Sequence, residues 1–485
     1  MAKITTVIDI GSNSVRMAIF KKTSRFGFAL IYELKSKVRI SEGSYNANGF
    51  LREKPMQRAI SALKEFKKIA KIYKSRKIFC IATSAVRDAP NARNFVQRVD
   101  KECGIKVKVI DGKKEAFFGS IACANLSHKR DGIMVDIGGG STECALIKDG
   151  KVQDVVSLNI GTIRLKELFF DKKVELKEAK KFVQNALEIL PDSFKHQNIF
   201  GVGGTIRALA KLIMKQINYP IDLIHGFEID VQRYIKFIDK IVRAREDKLD
   251  DFGIAEERLD NIQGGLLILL MLIKCFGTQT ITTCGTGIRE GVFLADLLRS
   301  HRHIIPNNIN PSLQYAMDSF NLDKQCLMIK KIALKLFDLL RMDFNLNDDD
   351  RKILRDASLL SQIGTCIDFY HTNKHSAYFA KYVLNYGFSH YQRVIISLLI
   401  TFSDKKIPKD SDIQTYQGLG LELPTLQILS FILSLAKVLE ISYDNSIGIS
   451  YRQNQLILSG ASSNFILMEK VGKLARPKDI SIVFE

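Results

Sequence analysis

The chain has 485 residues, more than one ordinary domain holds, so two or three domains are expected. Apolar residues make up 46% and charged residues 26%, the balance of a globular protein with ample core, which excludes a disordered or fibrous chain. The net charge of +20 favours a polyanionic partner such as a nucleotide, polyphosphate or nucleic acid.

The chain opens directly into strands, expected over 5–20 and 28–37. No basic segment followed by a short apolar run precedes them, so a cytoplasmic rather than a secreted protein is expected. A helix follows over 55–74, a strand over 78–82, a helix over 91–102, a strand over 106–110 and a helix opening near Lys113. Residues 64–77 carry seven basic residues and one acid on an amphipathic helix, readable as a solvated face or as a track for a polyanion. A second hairpin begins near residue 132, with helices around 162–170 and 176–189. A strand and helix span 199–210, followed by an apolar helix 261–276, a strand 278–283 and a helix 288–300. The stretch 301–311, with two prolines and three asparagines, reads as a linker. From 312 to about 448 the pattern is helical, and 451–484 returns to short β-like runs. The longest apolar run, Leu266–Ile273, is too short to span a bilayer. The eight cysteines form no CxxC pair and sit mostly in apolar runs, as reduced thiols do.

The most informative feature is a repeat. Residues 7–20, VIDIGSNSVRMAIF, and 134–147, MVDIGGGSTECALI, align at a constant offset of 127, matching Asp9 to Asp136, Gly11 to Gly138 and Ser14 to Ser141. Each is an apolar strand entering an aspartate, a Gly/Ser turn and a second apolar run. Small turn residues let backbone N–H groups approach an anion, and an aspartate beside them can hold the cation that neutralises it. Two copies suggest two hairpins facing across one phosphate-binding cleft. Glu143 stands in the second hairpin where Arg16 stands in the first. A third loop, Gly203-Gly204-Thr205, lies between a strand and a helix, where helix N–H groups point at an anion. Arg87, at a strand-to-helix crossing, suits charge neutralisation or a surface pair with Asp88. Glu115 sits in the first turn of a helix, where a carboxylate is favoured by the dipole, or is available to orient water in a phosphoanhydride hydrolase.

Together DIGSNSVRM, TSAVRDAPN, DGKKEA, DIGGGSTE, GVGGTIRALA and GIREGVFLADL resemble the exopolyphosphatase/guanosine pentaphosphate phosphatase family over residues 4–300. The resemblance implies an α/β fold of two ribonuclease-H-like, actin-like lobes (1–123 and 124–300) with an interlobe cleft. An all-α HD-like domain with a short β-like tail would then occupy 301–485. It implies Mg²⁺-dependent release of the terminal phosphate from inorganic polyphosphate or pppGpp. By that resemblance Glu115 and Arg87 are catalytic, and Asp136, Glu143 and Asp9 hold the metal. The phosphate loops are then Gly11, Ser12, Asn13 and Ser14; Gly138, Gly139, Gly140 and Ser141; and Gly203, Gly204 and Thr205. Arg258 matches a segment near the nucleotide region of relatives. In the C-terminal part, Ser361 and Gln362 replace an HD metal pair and His371 and His375 remain, so that domain is expected to be catalytically silent. A homodimer is expected, with no membrane and no specific nucleic-acid partner. A kinase of the same superfamily, or a sensor that binds pppGpp or polyphosphate without cleaving it, are the alternatives.

Overall fold

A computed structural model describes residues 3–44, 48–320, 324–441 and 447–485. The chain divides into two compact units, Met1–Asn310 and Pro311–Glu485.

In the first unit the elements run β1 (Lys3–Ile10), β2 (Val15–Lys22), β3 (Phe28–Ser36), α1 (Glu53–Ile72), β4 (Lys77–Ala82), α2 (Ser84–Arg87), α3 (Ala92–Cys103), β5 (Val107–Val109) and α4 (Gly112–Leu126). They continue as β6 (Gly132–Ile137), β7 (Thr142–Lys148), β8 (Lys151–Leu158), α5 (Thr162–Leu165), a π-helical turn (Lys166–Phe170), α6 (Leu176–Leu187), β9 (Asn198–Val202) and α7 (Gly203–Gln216). The last are β10 (Glu228–Asp230), α8 (Val231–Arg243), α9 (Glu256–Leu259), α10 (Ile262–Phe276), β11 (Thr280–Thr283) and α11 (Ile288–Leu297).

Two sheets result, ordered β3-β2-β1-β4-β5 and β10-β11-β9-β6-β7-β8. In each, three strands form an antiparallel meander and two more join in parallel through helical crossovers, the ribonuclease-H-like arrangement. The second sheet adds β10 on its far edge.

Strand alternation decides where the chemistry faces. Ile8, Ile10, Val15, Met17 and Ile19 enter the core beneath α1 and α3, so Asp9 and Arg16 turn to the other face. Ile133, Val135, Ile137, Cys144 and Leu146 enter the core of the second sheet. Asp136 and Glu143 therefore share the opposite face with Met134, Ala145 and Ile147, which pack with Cys123 of α4.

Those inner faces exchange helices. α4 packs along β6, β7 and β8, so this helix belongs to the second sheet although a boundary at residue 123 assigns it to the first. α11, from the second half of the sequence, lies on β1 and β2 and crosses α4. Phe293 of α11 stacks on Phe20 at 4.5 Å, and Arg289 Nη1 donates to Glu33 of β3 at 2.6 Å. The boundary misplaces α4 because helical periodicity shows an apolar face and not the sheet it covers.

The basic helix α1 buries Met56, Ala59, Ile60, Leu63, Phe66 and Ala70. Its lysines face outward, Lys64 pairing with Glu102 and Lys67 donating to the Cys103 carbonyl, which is the solvated-face reading. The expected helix at 162–170 is α5 plus the π-helical turn. β8, β10 and α8 were not anticipated.

The second unit contains α12 (Pro311–Phe320), α13 (Lys324–Leu340), α14 (Asp348–Leu360), α15 (Thr372–Val383), α16 (His390–Thr401), α17 (Asp410–Ile413) and α18 (Leu423–Glu440). It ends in β12 (Gly448–Arg452), β13 (Gln455–Ser459), α19 (Phe465–Gly472) and β14 (Ser481–Phe484), so the tail is one small sheet with a helix. The stretches 321–323 and 442–446 of the expected helical region lie outside the described residues. α18 is long and apolar enough to cross a membrane, and most of it is buried against α13, α14 and α16. All eight cysteines are free thiols.

Gly291 marks the crossing of the two exchanged helices, where a Cβ would strike the Phe118 carbonyl of α4. Gly291→Ala gains about 1 kcal/mol of helix propensity but overpacks against backbone, at about 1–3 kcal/mol. Its urea midpoint is expected to fall below that of the parent chain; an unchanged or higher midpoint would show that the crossing can spread.

Glu228 of β10 accepts hydrogen bonds from His128 and Lys129, just beyond α4. Burial works to raise its pKa, but these two donors outweigh it and hold the carboxyl down to about 2. A depressed carboxyl stabilises the fold above its unfolded pKa, and that contribution is lost as pH falls toward the folded value. The melting-temperature gap between the parent and Glu228→Gln is therefore expected to be constant above about pH 5 and to close between about pH 4.5 and 2. A gap that stays constant to pH 2 would remove Glu228 from the acid response.

Candidate active site

The two hairpins close identically. Gly11 N–H donates to the Ser14 carbonyl at 3.2 Å and Gly138 N–H to the Ser141 carbonyl at 2.9 Å. Asp9 pairs across its hairpin with Arg16, and Asp136 pairs across the other with Glu143. The two turns come together: a Cβ on Gly139 would lie 2.8 Å from Ser12 Cβ. Ser12 Oγ lies 3.2 Å from Ser84 Oγ, at the start of α2.

The third loop completes the site. Gly203 has φ +92°, and a Cβ there would lie 2.7 Å from Asp136 Oδ1, so glycine lets the first turn of α7 reach the aspartate. The N–H groups of that turn have no partner within the helix and suit an anion.

These elements enclose a cavity of about 160 Å³ lined by Asp9, Glu115, Asp136 and Glu143. Gly11, Ser12, Asn13, Ser14, Gly138, Gly139, Ser141, Gly203, Gly204 and Thr205 also line it. Two expected residues do not. Gly140 is not in the wall, because the turn presents its neighbours. Arg87 stands behind the wall: its Nη1 donates to Glu115 Oε2 at 3.0 Å, and its Nε to Asp88 Oδ1 at 3.2 Å. Asp88 also receives Arg164 from α5 at 3.3 Å. Arg87 thus has the expected partner Asp88 and a second one, Glu115, which itself lines the cavity.

Burial raises all four carboxyl pKa values. Desolvation lifts Asp9 to about 6 against the pull of Arg289 and Arg16. Asp136 is raised by burial, opposed by Arg207 and Arg16. Glu143 is raised by burial and by Asp136, against the Ser141 and Ser157 hydroxyls, and Ser157 Oγ donates to it at 3.0 Å. Glu115 is pushed well above the usual range by burial and by Glu143, with Arg87 opposing. Asp9 Oδ1 is buried and has no hydrogen-bond partner.

This donor set fits a hard divalent cation, which takes carboxylate oxygens and would relieve their crowding. Among the described residues no three His, Cys, Asp or Glu side chains converge on one point. A cation here would thus take one or two carboxylates, with other oxygens from water and substrate, as Mg²⁺ commonly does.

Five cations lie on the same cavity: Arg16, Lys35, Arg207, Arg258 and Arg289. Arg289 is 5% exposed. Arg207 donates to the carbonyls of Gly203 and Gly285. Arg258 lies against Gly204. Arg207 and Arg289 were missed as site residues although they stand inside GVGGTIRALA and GIREGVFLADL. The available signal was an arginine near the start of a helix that opens on glycine.

In the second unit, Ser361 is buried, and its hydroxyl and carbonyl serve Ser358 and Ser376. His371 pairs with Asp368. Lys437 Nζ occupies the space between α15 and α18, donating to Asn373 Oδ1 at 2.6 Å and Ser403 Oγ at 3.1 Å.

Comparison with known proteins identifies the family. Residues 18–300 match the Ppx/GppA phosphatase family and residues 310–464 match domain III of Ppx/GppA phosphatases. The chain is 26% identical to a guanosine-5'-triphosphate,3'-diphosphate pyrophosphatase of Photobacterium profundum, over 82% of this chain and 80% of that protein. It is 33% identical to a bifunctional 3-dehydroquinate synthase/phosphatase of Fusobacterium nucleatum, over 56% of this chain and 44% of the relative. The crystal structure of the Aquifex aeolicus Ppx/GppA family member superposes with a TM-score of 0.53 at 29% identity, covering 62% of this chain and 99% of that one. An exopolyphosphatase from Cytophaga hutchinsonii superposes at 0.56 and 24% identity, covering 61% and 98%, which speaks to the fold. The chain belongs to the Ppx/GppA phosphatase family.

Proposed function

We propose that the chain is a phosphoanhydride hydrolase that releases the terminal phosphate of inorganic polyphosphate or converts pppGpp to ppGpp, with water as acceptor. The observation that carries this reading is the meeting of Glu115 with Asp9, Asp136 and Glu143 on one cavity whose other walls are anion-binding turns. The high positive charge favours the longer polyanion, with pppGpp as a second substrate.

The turns at Gly11–Ser14 and Gly138–Ser141 and the first turn of α7 would grip phosphate oxygens through backbone N–H groups. Such donors, fixed in a water-poor site, stabilise charge that develops on the transferring phosphoryl group. Glu115 would orient the attacking water and accept its proton, and burial together with the neighbouring Glu143 raises its pKa, the direction that strengthens a base. Arg87 holds that carboxylate at 3.0 Å and would fix its direction toward the cavity. Asp136 and Glu143 would hold Mg²⁺ directly, with Asp9 supporting through bound water, and the ion when bound supplies charge neutralisation to the phosphate oxygens. A kinase of this fold would need an acceptor pocket, and a non-cleaving sensor would not need a base. The decisive assay incubates the protein with Mg²⁺ and polyphosphate, pppGpp or ATP in parallel and measures orthophosphate. Release from the first two supports hydrolysis; ATP-dependent labelling of a small acceptor supports the kinase; tight binding without release supports the sensor.

Glu115→Gln is expected to lower kcat by about 10²- to 10⁴-fold, the usual worth of a general base. Substrate affinity, measured by equilibrium binding, should change little. A variant that keeps its turnover would exclude Glu115 from the chemistry.

Asp136→Ala is expected to move the Mg²⁺ concentration for half-maximal activity upward by at least about tenfold, the scale of a lost ligand or its support. A superimposable Mg²⁺ titration would show that Asp136 is not a ligand.

A further inference from the structure

The helical unit carries a surface with no part in hydrolysis. Five large side chains of apolar or aromatic character are exposed within residues 367–382: Ile367, Phe369, Tyr370, Tyr378 and Tyr382. α15 buries Ser376, Ala377 and Ala380 on one side. On the other, His371, His375, Tyr378 and Tyr382 recur at helical spacing as one stripe, which Phe369 and Tyr370 extend at the N-terminal end. The rings adjoin: Phe369 and Tyr370 at 5.6 Å, His371 and His375 at 6.5 Å, Tyr378 and Tyr382 at 4.9 Å. Tyr370 is 89% exposed and Phe369 77%.

The same surface is cationic. α15 contains Lys374 and Lys381 and no acid. Lys381 Nζ lies over the rings of Tyr382 and Tyr416, at 5.8 and 5.2 Å. The nearby Asp368 is engaged by His371. A concentration of exposed rings marks an interaction surface. A second copy docking face to face would bury these lysines against a face of like charge in a chain of net charge +20. A partner with flat apolar faces along a negative backbone satisfies both components.

We propose that this face of α15 binds single-stranded nucleic acid without sequence preference, bases stacking on Phe369, Tyr370, Tyr378 and Tyr382 and phosphates meeting Lys374 and Lys381. Base stacking on aromatic side chains tolerates any sequence, and lysines follow the backbone. This is a separate activity from the hydrolase site.

The test is fluorescence anisotropy of the full chain with labelled oligouridine of about 16 nucleotides, a length within single-strand site sizes, over a salt series. The triple variant Tyr370→Ala/Tyr378→Ala/Tyr382→Ala is expected to bind at least tenfold more weakly. Lys374→Glu/Lys381→Glu, a second route should the first variant fold poorly, should also flatten the salt dependence. Neither should alter phosphate release from polyphosphate. No binding by the parent chain, or equal binding by both variants, overturns the proposal. So does loss of a dimer in sedimentation of the ring variant, which would make the face a self-interface.

Discussion

Four carboxylates share one buried cavity, and their mutual repulsion is the condition to which the first unit is built. Each loses hydration and each is a like charge to the others, so the cavity is unfavourable as an empty anionic pit. Arg16, Arg207 and Arg289 oppose that cost from one side and Arg87 from the other. These guanidiniums are themselves extensively buried, so neither set is stable there without the other. Buried charge of both signs around one cavity is in keeping with the metal–phosphate reading proposed above.

The two hairpins show how one backbone unit is turned to two purposes. Both place an aspartate at the same strand position and close the same turn. They differ in the residue opposite: Arg16 in one, Glu143 in the other. The first hairpin thus carries its own counter-charge, whereas the second concentrates negative charge beside Glu115. Ser157 links this acidic side to α4, bonding Glu143 while lying against Gly112 at the helix start.

The hairpins, the third loop and Glu115 were legible in the sequence because each rests on local pattern: an aspartate ending an apolar strand, glycine in a turn, a carboxylate in a first helical turn. The β-strand period of two also carried real information, since it turns Asp9, Asp136 and Glu143 to the inner faces. What escaped depends on contacts distant in sequence. Arg87 meets Glu115 across 28 positions, and Arg289 meets Glu33 across 256. Gly140 was included because the loop was read as a continuous run, whereas Gly138, Gly139 and Ser141 are the residues on the cavity. The lobe boundary failed at α4 because an apolar helix face does not name its sheet. The resemblance to the phosphatase family closed part of that gap by supplying roles that no spacing rule contains.

The exchange of α4 and α11 between sheets has a mechanical meaning. Glu115 rides on a helix anchored to β6, β7 and β8, the strands that carry Asp136 and Glu143. Asp9 belongs to the other sheet, against which α11 lies. Any swing of one lobe about the α4–α11 crossing therefore moves Asp9 and its turn relative to a trio that travels as a block. Glu115 would keep its place beside the second hairpin in such a swing, and the first hairpin would shift against both.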